Sequence, residues 1–206
     1  MKIYTSSVGP NPEALRHILA IKQLDIETVE IDIVAGENRA EAFLKINPAG
    51  QVPCLQLDDG SIIAEVAAIA EYFEEIKPDP VLGGRTAGAR AHTRMRMRQL
   101  DYLVLAPMMA GYRHAEGKAF FSGRMLLIDD YGPASKQVAL EGLKWLDDVL
   151  DGQDYVCGDH LTYVDVVTYP LMNFLAAVSL PIPPELAHVT AYMGRLAAHE
   201  MMGQNG

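Results

Sequence analysis

Between Thr28 and Ile33 the apolar residues Val29, Ile31 and Ile33 alternate with Glu30 and Asp32. That is the period of a half-buried strand. Lys2-Ile3-Tyr4-Thr5 predicts a shorter strand before it. Between the two, Leu15, Ile18, Leu19 and Lys22 share one side of a helix, and Ile18 and Ile21 carry the apolar face round. Asn11 suits the N-cap of that helix and Pro12 its first position. A strand, a helix and a strand in this order predict parallel pairing of the first two strands. Arg39 to Ile46 reads as a short helix that stops before Asn47-Pro48. Val52-Pro53 opens a third strand, a position where Pro removes no ladder donor and where the X-Pro bond can be cis. Asp59-Gly60 is a two-residue hairpin signal between Cys54-Leu55-Gln56-Leu57 and Ser61-Ile62-Ile63-Ala64. Glu65 then begins a helix with Ala68, Ile69, Tyr72, Phe73 and Ile76 at helical spacing.

Lys77-Pro78-Asp79-Pro80 stops this helix, and Leu82-Gly83-Gly84 continues the break. Beyond Thr86 the pattern is helical throughout. Ala87 to Ala115 predicts one long helix kinked at Pro107. Lys136 to Leu150 predicts a second, Thr162 to Asn173 and beyond a third, and Pro184 to His199 a last one. The chain therefore divides into an α/β unit over 1–78 in the order βαβαββα, a linker over 79–86 and an all-α unit over 87–206. Thr162 and Asp165 have capping-box spacing, and Leu161 and Val166 the spacing of a hydrophobic staple. Asp165 is read as structural, and its loss is expected to cost about 1 kcal/mol from the cap alone.

Composition narrows the function. A formal net charge of -10 argues against nucleic acid and against an anionic membrane surface as partners. No stretch has the length of a membrane span, and no signal peptide is expected from the first residues. Cys54 and Cys157 form no CxxC pair, so thioredoxin-type redox chemistry is not expected, and both read as reduced core thiols in a cytosolic protein. The six His residues are scattered without ligand spacing, so no metal is expected.

The string Asn47-Pro-Ala-Gly-Gln-Val-Pro-Cys-Leu55, followed by Asp59-Gly60 and by Glu65 at a helix start, resembles the cytosolic glutathione S-transferase superfamily in its bacterial-type members. Gly158-Asp159 with Thr162 and Asp165 resembles the core-helix pattern of the same family. The resemblance implies a thioredoxin-like N-terminal domain and a helical-bundle C-terminal domain. It implies glutathione as co-substrate, no metal, conjugation to a small hydrophobic electrophile, a cytoplasmic setting and a homodimer. Alternatives within it are a glutathione-dependent reductase, peroxidase or ether-cleaving relative, or a non-catalytic binding protein on the same fold.

For the site, the resemblance implies that Val52 pairs its backbone with the cysteinyl part of glutathione. It makes Pro53 cis and has Glu65 hold the γ-glutamyl ammonium. Gln51 accompanies them, and Val66 stands where the family usually has Ser. Losing that hydroxyl is expected to weaken binding by roughly 1.5–3 kcal/mol. The thiolate donor belongs to the loop after the first strand, where Gly9 occupies the position at which many relatives carry Ser. Asn11 ranks first as donor, then Ser7 and Ser6, with Tyr4 last. Arg39 is the candidate for the glycyl carboxylate. Tyr102, Leu105, Met108, Met109, Tyr112 and Arg113 are candidates for the electrophile pocket, with Arg113-His114 placed to orient an anionic substrate. Arg90, Arg94 and Arg98 form a basic stripe, and Glu71, Glu74 and Glu75 are its candidate partners across a dimer interface.

Overall fold

The computed structural model describes residues 1–199. Four short strands form one mixed sheet in the order β2-β1-β3-β4: β1 (Lys2–Thr5), β2 (Glu27–Glu30), β3 (Cys54–Gln56) and β4 (Ile62–Ala64). β1 pairs parallel with β2, as the intervening helix requires, and antiparallel with β3, with Ile3 opposite both Thr28 and Leu55. The hairpin pairs Leu55 with Ile63. Alternation then sorts the side chains. Ile3 and Leu55 face α1 (Pro10–Lys22) and α3 (Val66–Ile76), burying against Leu15, Ile18, Ile69 and Phe73. Cys54, Ile31 and Phe43 fill the other face, which the short α2 (Glu41–Leu44) covers.

Several boundaries differ from the sequence reading. α1 starts at Pro10, with Gly9 as its N-cap at φ 104°, so Asn11 is the second residue of the first turn rather than the cap. A backbone in that region suits glycine and selects this start over the one at Pro12. Arg39 lies in a 3₁₀ turn (Glu37–Arg39) ahead of α2. The buried stripe of α3 is Val66, Ile69, Ala70 and Phe73, while Ala68 and Ile76 are exposed. Lys22 is fully buried. Its ammonium pairs with Glu74 and donates to the carbonyls of Lys77 and Pro80 at 2.9 and 2.7 Å. The end of α1 is thereby tied to the segment that leaves the sheet layer.

The long helix predicted from Ala87 is three pieces: α4 (Ala87–Leu100), a π-helical turn (Asp101–Leu105) and α5 (Ala106–His114). Pro107 has no N–H for the Leu103 carbonyl four residues back, and its ring would clash there. The π turn absorbs the mismatch. α7 (Tyr131–Val149) presses against this segment. A Cβ at Gly142 would collide with the Leu103 carbonyl oxygen, so only glycine lets the two backbones meet. A short helix, α6 (Lys118–Phe121), comes between.

α8 (Tyr163–Asn173) runs through the centre of the helical layer, and Tyr163 to Met172 are all buried. Asp165 is fully buried at its start. Its carboxylate accepts from the Val156 N–H at 3.0 Å, from the Thr162 N–H and hydroxyl at 2.8 Å each, and from the Tyr192 hydroxyl at 3.0 Å. Burial still holds this carboxyl above its ordinary value. Tyr192 belongs to α9 (Ala187–Ala197), so one carboxylate joins α8 to α9 as well as capping α8.

A candidate glutathione-binding cleft

The loop before β3 is held from within. Asn47 Nδ2 donates to the Gln51 carbonyl at 2.8 Å, and buried Asn38 Nδ2 donates to the Gly50 carbonyl at 2.7 Å. Gly50 has φ 62°, and a Cβ there would sit 2.7 Å from Arg39 Nη1. The loop so fixed presents Gln51, Val52 and Pro53, with the Val52–Pro53 peptide cis.

Beside it, Glu65 is the N-cap of α3 with φ 69°, ψ 123°. This is a costly backbone for a residue with a side chain, and such strain concentrates at binding sites. No side chain caps this helix. The Val66 and Ala67 amides precede the first residue that can bond back within it, so they are donors at the positive end of a helix dipole. At the start of α1, Pro10 and Pro12 carry no N–H, which leaves Asn11 as the donor of that turn.

These groups meet across a cleft of about 550 Å³. The sheet side contributes Asn11, Gln51, Val52, Pro53, Glu65, Val66 and Ala67. The helical side contributes Met97, Leu105, Ala106, Met109 and Arg113, with Tyr163, Val167 and Leu171 from α8. A polar seam closes the floor. Arg94 Nε donates to both Glu71 oxygens at 2.9 and 3.0 Å, and the Tyr163 hydroxyl donates to Glu71 at 3.0 Å. Burial, and then Glu71, raise the Tyr163 phenol far above its ordinary value. Arg98 pairs with Asp101 at 3.1 Å. Burial lowers the Arg113 guanidinium, and neighbouring Arg39 adds to that effect.

Other candidates lie elsewhere. Ser6 is buried below the loop, and its carbonyl accepts from Arg16 at 3.0 Å. Ser7 is exposed, with its N–H on Glu30. Neither lines the cleft, nor does Gly9, whose place is the cap of α1. Tyr4 packs against Phe43 on the far face of the sheet and donates to Gln56 at 3.1 Å. Arg39 stays behind Gly50, donating to the Ala49 carbonyl at 3.3 Å. Cys54 is buried under Pro53's strand, and burial pushes its thiol up to about 11. Met108 is core, Tyr112 stacks on Phe174 and Phe121, and Tyr102 is 65 % exposed beneath Arg98, so these three do not line the cleft. His114 accepts from the Ile128 N–H at 3.0 Å and does not line the pocket, so of the Arg113-His114 pair only Arg113 does. Of the three acids foreseen as dimer partners, two are engaged within the chain, Glu71 by Arg94 and Tyr163 and Glu74 by Lys22, and Glu75 is exposed.

Sequence reasoning missed the α8 wall, although Tyr163, Val167 and Leu171 repeat at every fourth residue. Asn38 offered no signal of its own. Among the described residues no group of His, Cys, Asp and Glu could hold a metal, and no helix is long and apolar enough to cross a membrane.

A thioredoxin-like sheet layer, a helical domain and a cleft between them define the class. Models of the glutathione S-transferase N-terminal and C-terminal domains match residues 8–76 and 133–200. Glutathione S-transferase 2 of Saccharomyces cerevisiae is 31% identical over 95% of this chain and 85% of its own length. A solved glutathione S-transferase domain-containing protein of Marinobacter aquaeolei superposes with a TM-score of 0.92 at 31% identity, over 98% of this chain and 100% of that one. Maleylacetoacetate isomerase of Pseudomonas aeruginosa is 39% identical over 84 residues, 40% of each chain. The chain belongs to the glutathione S-transferase family.

Proposed function

We propose that the protein is a glutathione transferase that conjugates the tripeptide thiolate to a small, largely apolar electrophile. The observation that carries this reading is the convergence of the Gln51-Val52-Pro53 edge and the uncapped α3 N-terminus on one cleft with an apolar opposite wall. The Val52 backbone pairs with the cysteinyl unit, Glu65 holds the γ-glutamyl ammonium, and the Val66 and Ala67 amides take its carboxylate. Arg39 takes the glycyl carboxylate by swinging out from behind Gly50 and releasing the Ala49 carbonyl. Asn11 donates to the sulfur. A free thiol near pKa 8.5 is only a few per cent ionised at neutral pH, so donated hydrogen bonds matter. The thiolate forms a C–S bond while a leaving group departs with its electron pair, or while an activated double bond takes up the pair and a proton from water. Proximity and stabilised charge supply the rate.

A second reading keeps the same thiolate and changes the outcome: addition to a conjugated double bond, rotation and expulsion of the thiolate, an isomerisation. The match to maleylacetoacetate isomerase favours it. Either reading goes with a cytoplasmic homodimer.

Calorimetric titration with glutathione, beside Val66→Ser, tests the site. Micromolar to low-millimolar binding, tightened about tenfold or more by the new hydroxyl, supports it. Absence of heat with both proteins would overturn it. Asn11→Ala is then expected to raise the thiol pKa of the bound tripeptide, read by thiolate absorbance against pH.

A further inference from the structure

Three arginines line the cleft, and they are not alike. Arg94 is held by Glu71 and Arg98 by Asp101. Arg113 has no hydrogen bond or ion pair with any described residue, only the Phe121 ring 5.8 Å from its guanidinium carbon. It is also the one most removed from water, and Arg39 stands near enough to oppose its charge. A guanidinium in such a place carries a desolvation cost that no acid or hydrogen-bond acceptor among the described residues offsets, which leaves only the Phe121 ring. This happens in a protein with 27 acidic against 17 basic residues, where an acid partner would be the easy solution. A half-buried cation on a cavity wall with no acid beside it, and with a second cation near enough to oppose it, fits an anion brought by a ligand.

Its place on the wall says which ligand. Leu105, Met109 and Arg113 follow one another at every fourth residue and all line the cleft. Helical side chains lean toward the N-terminus, so Arg113 reaches back over Met109. The wall opposite the glutathione groups is therefore apolar along its length and cationic at one end. The rise from Leu105 to Arg113 is about 12 Å.

We propose that Arg113 is the anion-binding end of the electrophile pocket, and that this protein's electrophiles are apolar molecules carrying a carboxylate. The proposal rests on the glutathione reading of the same cleft. A guanidinium fork can take a carboxylate in two parallel hydrogen bonds and fix the direction in which the apolar body lies across Leu105 and Met109.

Two product-like ligands test it: S-(4-carboxybenzyl)glutathione and its neutral carboxamide, S-(4-carbamoylbenzyl)glutathione. Calorimetry on the full chain is expected to find the carboxylate bound more tightly. Arg113→Met is expected to abolish that preference, a change of about tenfold to a hundredfold in the ratio of the two dissociation constants. Arg113→Lys, which keeps the charge without the fork, is expected to retain part of it and controls for a folding defect. Equal affinities in the wild type, or a ratio that Arg113→Met leaves alone, overturn the proposal. So does an equal loss for both ligands and for free glutathione, which would assign Arg113 to the glycyl carboxylate. If neither ligand nor glutathione binds, the glutathione reading itself falls, and the proposal with it.

Discussion

The two walls of the cleft are made of different material. The sheet side presents mostly backbone: the edge around a cis proline, the amides at the head of α3, and the one N–H left between two prolines of α1. Buried Asn38 and Asn47 hold that backbone from behind. The helical side presents side chains, with Met97, Leu105, Met109, Val167 and Leu171 around Arg113. Backbone donors keep their chemistry whatever residue carries them. A wall of that kind suits a ligand that never changes, and a wall of side chains suits one that does. The contrast predicts that damage to the first wall appears in glutathione affinity and damage to the second in electrophile selectivity.

The tie between the end of α1 and the segment leaving the sheet layer should be the costliest place to cut. Lys22→Met keeps the volume but leaves the largely enclosed Glu74 carboxylate with the Leu82 and Gly83 N–H groups and no cation, and three carbonyls of the 77–80 segment lose their donor. Removing one partner of a buried pair costs about 3–5 kcal/mol. Urea unfolding is expected to show that loss. A loss below about 1 kcal/mol would mean that the pair behaves like a surface one.

Next comes the helical wall. Gly142→Ala drives a methyl into the Leu103 carbonyl at the π turn, so α5 or α7 must shift. Overpacking of this kind costs about 1–3 kcal/mol. Because Leu105 and Met109 ride on the shifted segment, electrophile KM is expected to change more than the dissociation constant of glutathione. The opposite order would break the division of labour between the walls.

Asn38→Ala makes the converse cut. It frees the Gly50 carbonyl at a cost of about 1 kcal/mol, less than a fully satisfied Asn would, because Asn38 Oδ1 already lacks a partner. Glutathione should bind several-fold more weakly while the preference among electrophiles stays put. Calorimetry and a two-substrate comparison on the same preparation separate the two.

The same division governs what could be read from the sequence. The sheet wall was legible because backbone conformations leave signatures: Val52-Pro53, Asp59-Gly60 and the start at Glu65 each constrain dihedral angles locally. The helical wall was legible only in part: Leu105, Met109 and Arg113 line the cleft as expected, while Tyr102, Met108 and Tyr112 do not. An extra residue in the π turn rotates everything after it by about 100° relative to α4, so counting onward from Ala87 turns the wrong faces inward. Met108 falls in the core, Tyr112 packs half-buried against it, and Met109 and Arg113 face the cleft for that reason. Lys22 was equally opaque. On its own helix it looks like a terminal cation, and only the chain returning some 55 residues later encloses it. The cap was misplaced by two residues, Asn11 for Gly9, because either proline could open the helix, and the choice lies in the φ of Gly9.

The smallest expected effect lies where the two layers touch away from the cleft. His17 of α1 is buried against α8, 6.3 Å from the Tyr169 ring, with its Nδ1 enclosed and unpartnered. Burial, and secondarily Arg16, hold its imidazole below the ordinary 6.5. The unfolded chain therefore binds a proton that the folded one refuses between the lowered value and 6.5. Stability rises with pH wherever the unfolded state holds more protons, so this contribution is whole above 6.5 and is lost as pH falls through that window. His17→Phe keeps a ring against Tyr169 and removes the titration. Urea midpoints measured from pH 7.5 to 5 should fall further for the wild type than for the variant. Parallel curves would mean that His17 meets water, or a partner, as readily in the folded protein as out of it, and that the contact between α1 and α8 is looser than the rest of the seam.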